Sequence, residues 1–193
     1  MKERMKLMFA YDGSDGANAA LEDLRDGGFP PEGELLIAVV TDISKTVIPD
    51  VFELRALKPL VNSRLFGASV IYAKNRKIEG CKQARRLAKD AETRIREILP
   101  QWRVTHRPLV GDPVEELLQA AREWQPELIL AGSRGRSAVS RFLLGSVSEQ
   151  LALRSAFSLR IARPAEKSGA GKRLVIGVNN SAAAERVIET VCR

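Results

Sequence analysis

Six apolar residues in a row, Leu35 to Val40 within ELLIAVVTD (34–42), constrain the fold of this chain more than any other feature. A strand with one wet face alternates apolar and polar side chains, whereas an unbroken run suits a strand covered on both faces. Such strands lie in parallel sheets, and successive parallel strands need a crossover, usually a helix. The rest of the chain supplies both in alternation. KLMFAYD (6–12) is an apolar run ending in a carboxylate, and GANAALEDLRDGG follows with helical composition and Ser14 or Asp15 as N-cap. RVTHRPLVG (103–111) is the third strand; DPVEELLQAAREW then opens with Asp112 as N-cap, Pro113 at the first helical position and Glu115 completing a capping box. ELILAG (127–132) is the fourth strand, a helix runs from about 146 to 155, and SLRIAR (158–163) is the fifth strand. The alternation predicts an open α/β fold with helices on both faces of a parallel sheet.

Between the second and third strands, IEGCKQARRLAKDAETRIREIL (78–99) reads as an amphipathic helix ended by Pro100. Ala84, Leu87, Ala88, Ala91, Ile95 and Ile98 share one face; Lys82, Arg85, Arg86, Lys89 and Arg96 share the other. Residues 43–77, interrupted by Pro49, Pro59 and Gly67, read as a long irregular excursion with one or two short helical turns. At the far end, PAEKSGAGK (164–172) reads as a linker, and RLVIGVNNSAAAERVIETV echoes KLMFAYDGSDGANAALEDL at an offset of 167 residues. The expected organisation is one domain over 1–163, the linker 164–172, and a truncated strand–helix start of a second copy over 173–193. Its simpler alternative is a coincidental strand–helix tail. Asn179 stands where the first copy has Asp12.

Composition narrows the chemistry. A net charge of +7 favours anionic partners without dictating a fold. Two cysteines exclude a disulfide or zinc framework and suit a reducing compartment. The N-terminus lacks a secretory apolar region, and no apolar run approaches the about 20 residues of a membrane span, so the expectation is a cytoplasmic protein without membrane contact. His106 is the one histidine and lies in a strand, which leaves no Ser-His-Asp or Cys-His set to argue, and no P-loop motif occurs.

The chemistry-bearing stretch is AGSRGRSAVSRFLLGSVSEQ (131–150). Gly132 ends the fourth strand, Gly135 follows after two residues, and Gly145-Ser146 follows after nine more and opens a helix. A backbone without Cβ admits close approach of a ligand, and the unpaired N–H groups of a helix start favour an anion. The plainer reading is that Ser146 and Glu149 form a capping box and Gly132 serves a turn. This glycine spacing, with a first strand ending in aspartate, VGDPVEELLQAAREWQPELILAGSRG and LGSVSEQLALRSA, resembles the nucleotide-binding branch of the universal stress protein family over nearly all of residues 5–164.

The resemblance implies an adenine nucleotide alpha-hydrolase-like sheet of order 3-2-1-4-5, ATP or AMP at its carboxyl edge, and a homodimer or tandem pseudo-dimer. It implies that Asp12 contacts adenosine, that backbone near Val39 and Val40 brackets adenine, and that Gly132 lies against the ribose and Gly135 against the phosphates. Gly145, Ser146, Val147 and Ser148 would donate to phosphate oxygens. Apart from the resemblance, the charge of Arg134 and Arg136 beside Gly135 suits phosphate, with at most one of them expected to contact it and solvated loop arginines as the commoner alternative. Asp12 has an equal alternative as a turn carboxylate. Mg²⁺ would be held mainly by the phosphates and water. Arg160 interrupts the fifth strand, the edge through which the family pairs, which argues against the usual dimer. The leading functional expectation is a nucleotide-binding regulatory or sensor protein of the stress response. Behind it stand a slow ATP hydrolase or phosphotransferase and, from the charge stripe at 82–96, a nucleic-acid-binding module.

Overall fold

In the computed structural model, residues 4–42, 63–133 and 144–163 are described, with backbone only for 63–74. Five parallel strands form one sheet: β1 (Met5–Ala10), β2 (Gly33–Thr41), β3 (Arg103–Val110), β4 (Leu128–Gly132) and β5 (Ser158–Ala162), in the order β3-β2-β1-β4-β5. The expected fold and strand order are those observed. Helices α1 (Asp15–Asp26) and α2 (Ser63–Ile98) cover one face, while α3 (Pro113–Trp124) and α4 (Ser146–Arg154) cover the other.

The unbroken apolar run of β2 explains the two cores. Leu35, Ile37 and Val39 pack with Leu7, Phe9 and Leu130 under Ala20, Leu21 and Leu24 of α1 and Ala84, Ala88 and Ala91 of α2. Leu36 and Ala38 pack with Met8 and Ile129 under Val114, Leu117, Leu118 and Ala121 of α3 and Leu151 of α4. Asp112 caps α3 by accepting from Val114 N–H and Glu115 N–H, both at 3.0 Å. Glu115 does not complete a capping box; its carboxylate accepts from Arg154 at 2.6 Å.

Two expectations need correction. The helix predicted over 78–99 begins at Ser63, so the latter part of the supposed irregular excursion is helical; residues 43–62 lie outside the described residues. No proline occurs between Ser63 and Ile98, and a single interior glycine such as Gly67 costs a helix only about 1 kcal/mol. Arg160, in turn, does not obstruct the sheet edge. Its side chain lies over the α1 side, with Nε 2.6 Å from Asp23 Oδ2, a hydrogen bond to the Gly27 carbonyl at 3.0 Å, and the guanidinium 5.4 Å from the Phe29 ring centre. It ties β5 to the C-terminal end of α1, where carbonyls favour a cation.

The charged side of α2 is partly internally paired. Lys82 meets Glu79 at 2.8 Å, and Arg96 donates to Glu92 Oε1 at 2.7 and 3.1 Å, while Arg85, Arg86 and Lys89 are exposed. His106 Nδ1 lies 2.8 Å from the other oxygen of Glu92, tying β3 to α2. The Arg96 guanidinium, joined by His106, holds the Glu92 carboxyl below its usual range against the effect of burial. Because the ionised form makes these contacts, Glu92→Gln is expected to cost about 1 kcal/mol at neutral pH. The deficit should shrink as pH falls through the carboxylate range, where wild type loses the same charge. Urea unfolding at pH 7 and pH 3 checks this, and an undiminished deficit at pH 3 would refute it.

Candidate functional site

Strand order reverses between β1 and β4, and at such a switch point the chain leaves the carboxyl edge in opposite directions and opens a crevice. Here Ala10 of β1 is in register with Ala38 of β2 and Ala131 of β4, so small side chains line the edge. Asp12 and Ser133 each stand two residues beyond this row.

After β1 the chain turns sharply into α1. Asp12 Oδ1 accepts from Ser14 N–H at 3.0 Å, Gly13 takes φ +73°, and Ser14 Oγ accepts from Ala17 N–H at 3.2 Å as the N-cap. The turn role of Asp12 is therefore real, and it occupies one carboxylate oxygen. Tyr11, just before it, donates to Asn18 Oδ1 at 3.0 Å, and burial pushes its phenol above the usual tyrosine range.

On β2 the two valines differ. Backbone groups alternate sides along a strand, and the bonds from Tyr11 N–H to the Ala38 carbonyl (3.0 Å) and Gly111 N–H to the Thr41 carbonyl (3.2 Å) set the phase. Val40 turns its N–H and C=O toward β1, whose pairing stops at Ala10. Val39 turns its own toward β3, and its side chain is in the core. Val40 overhangs the crevice; Val39 does not.

Gly132 serves the packing of α1. A Cβ there would lie 2.2 Å from Gly16 C and 2.4 Å from Ala17 N, so the first turn of α1 rests directly on the end of β4. Beyond it, Ser133 N–H donates to the Ala162 carbonyl and Gly145 N–H to the Ser133 carbonyl, each at 2.7 Å, which closes the base of the loop. Arg134, Gly135 and Arg136 lie outside the described residues.

The start of α4 removes one part of the plainer sequence reading. Its N-cap is Gly145, with no side-chain cap, and Ser146 is the first helical residue. The Ser146–Glu149 capping box does not form. The earliest N–H of α4 to find a helical carbonyl is that of Glu149, bonded to Gly145 at 2.9 Å. The N–H groups of Ser146, Val147 and Ser148 before it belong to the unpaired set of a helix start and carry the positive end of its dipole. Ser148 is not a free hydroxyl donor: its Oγ donates to the Gly132 carbonyl at 2.6 Å and pins the helix start to the strand end. Asp12, Val40, Gly132, Gly145, Ser146 and Val147 are thus gathered at the same edge. Sequence reasoning missed Ser133 and the alanine row, because register between distant strands leaves no local signal.

The family model described as the universal stress protein family matches residues 52–163. None of the curated proteins is significantly similar in sequence. Among solved structures, the chain is similar to the hypothetical protein MJ0577, with TM-score 0.60 and 20% identity over 84% of this chain and 97% of that one. A universal stress protein from Archaeoglobus fulgidus DSM 4304 matches with TM-score 0.62 and 21% identity, over 97% of this chain and 61% of its own. A universal stress protein family protein from Arabidopsis thaliana, with AMP bound, matches with TM-score 0.51 and 14% identity over 83% and 92%.

Proposed function

The chain belongs to the universal stress protein family, and from that premise we propose that it binds ATP or AMP at the carboxyl edge and acts as a nucleotide-dependent regulatory or sensor protein of the stress response. The observation that carries this reading is the bare start of α4, whose N-cap Gly145 leaves the first N–H groups without a side-chain acceptor beside the end of β4. Phosphate oxygens satisfy those donors and the helix dipole together. The bound AMP of the Arabidopsis thaliana protein supports an adenine nucleotide as the ligand.

In this reading the overhanging Val40 backbone brackets the adenine, and Asp12 offers its second carboxylate oxygen to the ribose. Gly145, Ser146, Val147 and the backbone of Ser148 hold phosphate; outside the described residues, Gly135 is the further contact that the family resemblance implies and Arg134 the one that its charge suggests. Gly132 acts indirectly, by seating α1 against β4. Among the described residues no group of three or more His, Cys, Asp or Glu gathers as a metal site, so Mg²⁺ entering with ATP keeps phosphate and water ligands. No helix among the described residues is long and apolar enough to cross a membrane. Among the described residues β5 is a sheet edge, and Arg160 is drawn onto the helix face, which suits pairing of that edge with a second copy or domain. The echo of β1–α1 in residues 173–193, outside the described residues, supports a tandem arrangement as one form of that pairing.

The test is direct. Purified protein denatured and analysed by mass should release an adenine nucleotide, or the stripped protein should give a saturable calorimetric signal with AMP or ATP. Amide exchange at Ser146–Ser148 should slow on binding. Neither heat nor added protection at millimolar nucleotide would end this reading.

A further inference from the structure

Ser14, Ser133 and Ser148 are the buried polar side chains among the described residues, at 7%, 1% and 4% exposure. Two of the hydroxyls are used: Ser14 Oγ accepts from Ala17 N–H, and Ser148 Oγ donates to the Gly132 carbonyl. Ser133, the most buried, has no hydrogen-bond partner for its Oγ. Its backbone is fully engaged, N–H with Ala162 and C=O with Gly145.

An unpaired buried hydroxyl destabilises the fold, and such groups call for an explanation. Its position suggests one. Side chains alternate along a strand, and Gly132 directs its Cβ position at α1. Ser133 is the next residue, just past the end of β4. The two bonds that draw the start of α4 to the end of β4, Gly145 N–H to Ser133 and Ser148 Oγ to Gly132, bracket this side chain. The orphan hydroxyl thus belongs to the residue at which the end of β4 and the start of α4 are joined.

We propose that Ser133 is a ligand-binding residue whose hydroxyl donates to a phosphate oxygen seated on the first turn of α4. The inference rests on the nucleotide reading and adds a residue to it. Rotation about χ1 carries Oγ among staggered positions without moving the backbone bonds that hold Ser133. A bond to a charged oxygen is the stronger kind, and a site shielded from water strengthens it further. The buried donor acquires its partner when the anion binds.

The experiment compares wild type, Ser133→Ala and Ser133→Cys by calorimetry with AMP and ATP, and by thermal unfolding without nucleotide. Cysteine keeps the side chain's bulk but offers only a weak donor. Both variants should bind about tenfold or more weakly. Without nucleotide, Ser133→Ala should unfold about 2–4 °C higher, because the orphan is gone. Affinities within twofold of wild type overturn the proposal while leaving the nucleotide site intact. A lower unfolding temperature for empty Ser133→Ala also overturns it, since the hydroxyl would then be bonded in the free protein. Failure of wild type to bind either nucleotide removes the site reading itself, and this residue's role with it.

Discussion

Replacing Gly132 by alanine should lower the unfolding temperature by roughly 6–12 °C, the counterpart of about 3 kcal/mol in a chain of this size. The new Cβ would sit 2.2 Å from Gly16 C, 2.4 Å from Ala17 N and 2.5 Å from Gly16 O. All three are backbone atoms, so no rotamer change relieves the overlap, and the first turn of α1 must lift from β4. The Asp12–Ser14 turn and Ser148's bond to the Gly132 carbonyl are disturbed with it, so nucleotide affinity should fall alongside stability. Gly28 is the control: it has φ +72°, but a Cβ there meets nothing within 4 Å, so Gly28→Ala carries only a backbone cost of about 1–2 kcal/mol. Thermal unfolding of the two variants checks the ranking. An alanine at 132 that unfolds within 2 °C of wild type would show that α1 does not rest on β4 as described.

The second large effect separates binding from stability. Ser146 is exposed and stands at the first position of α4. Ser146→Glu places a carboxylate where the helix dipole welcomes one, so the fold should keep or slightly gain stability. The same carboxylate competes with the ligand. Two like charges about 4 Å apart at an effective dielectric near 20 repel by about 4 kcal/mol, so a loss of about a hundredfold or more in ATP affinity is expected. Ser146→Gln, with similar bulk and no charge, should stay within a few-fold of wild type. Calorimetry at two salt concentrations reads both effects. Unchanged ATP binding by the glutamate variant would place the phosphates somewhere other than the start of α4.

Much of the fold was legible because its strands are buried on both faces and so appear as apolar runs with clear ends. What the sequence could not convey depends on phase and partner. Arg160 looked like an edge charge, since a strand's two faces are indistinguishable until its neighbours are known; in the structure it meets Asp23 and Gly27 of the α1 region. The first half of α2 was obscured by weighting Gly67 as a break, although a proline-free stretch tolerates one glycine. At the candidate site the glycine spacing was legible, but the division of labour was not. Val39 and Val40 differ only in which way an extended backbone points. Ser148 spends its hydroxyl on Gly132, and Ser133 gave no signal because its burial arises from contacts remote in sequence.

The C-terminal part of helix α2 is fastened to the sheet. The Gly80 carbonyl accepts from Thr41 Oγ1 at 2.9 Å, at the end of β2, and residues 84–95 are in the core beyond it. On the other side of that bond, residues 75–79 are exposed through more than a full turn, and the helix continues back to Ser63. Residues 75–79 thus form an exposed turn just beyond the anchor at Thr41, about 8 Å long at 1.5 Å per residue. A load on that turn acts through the Gly80–Thr41 bond on the tip of β2, one residue from Val40.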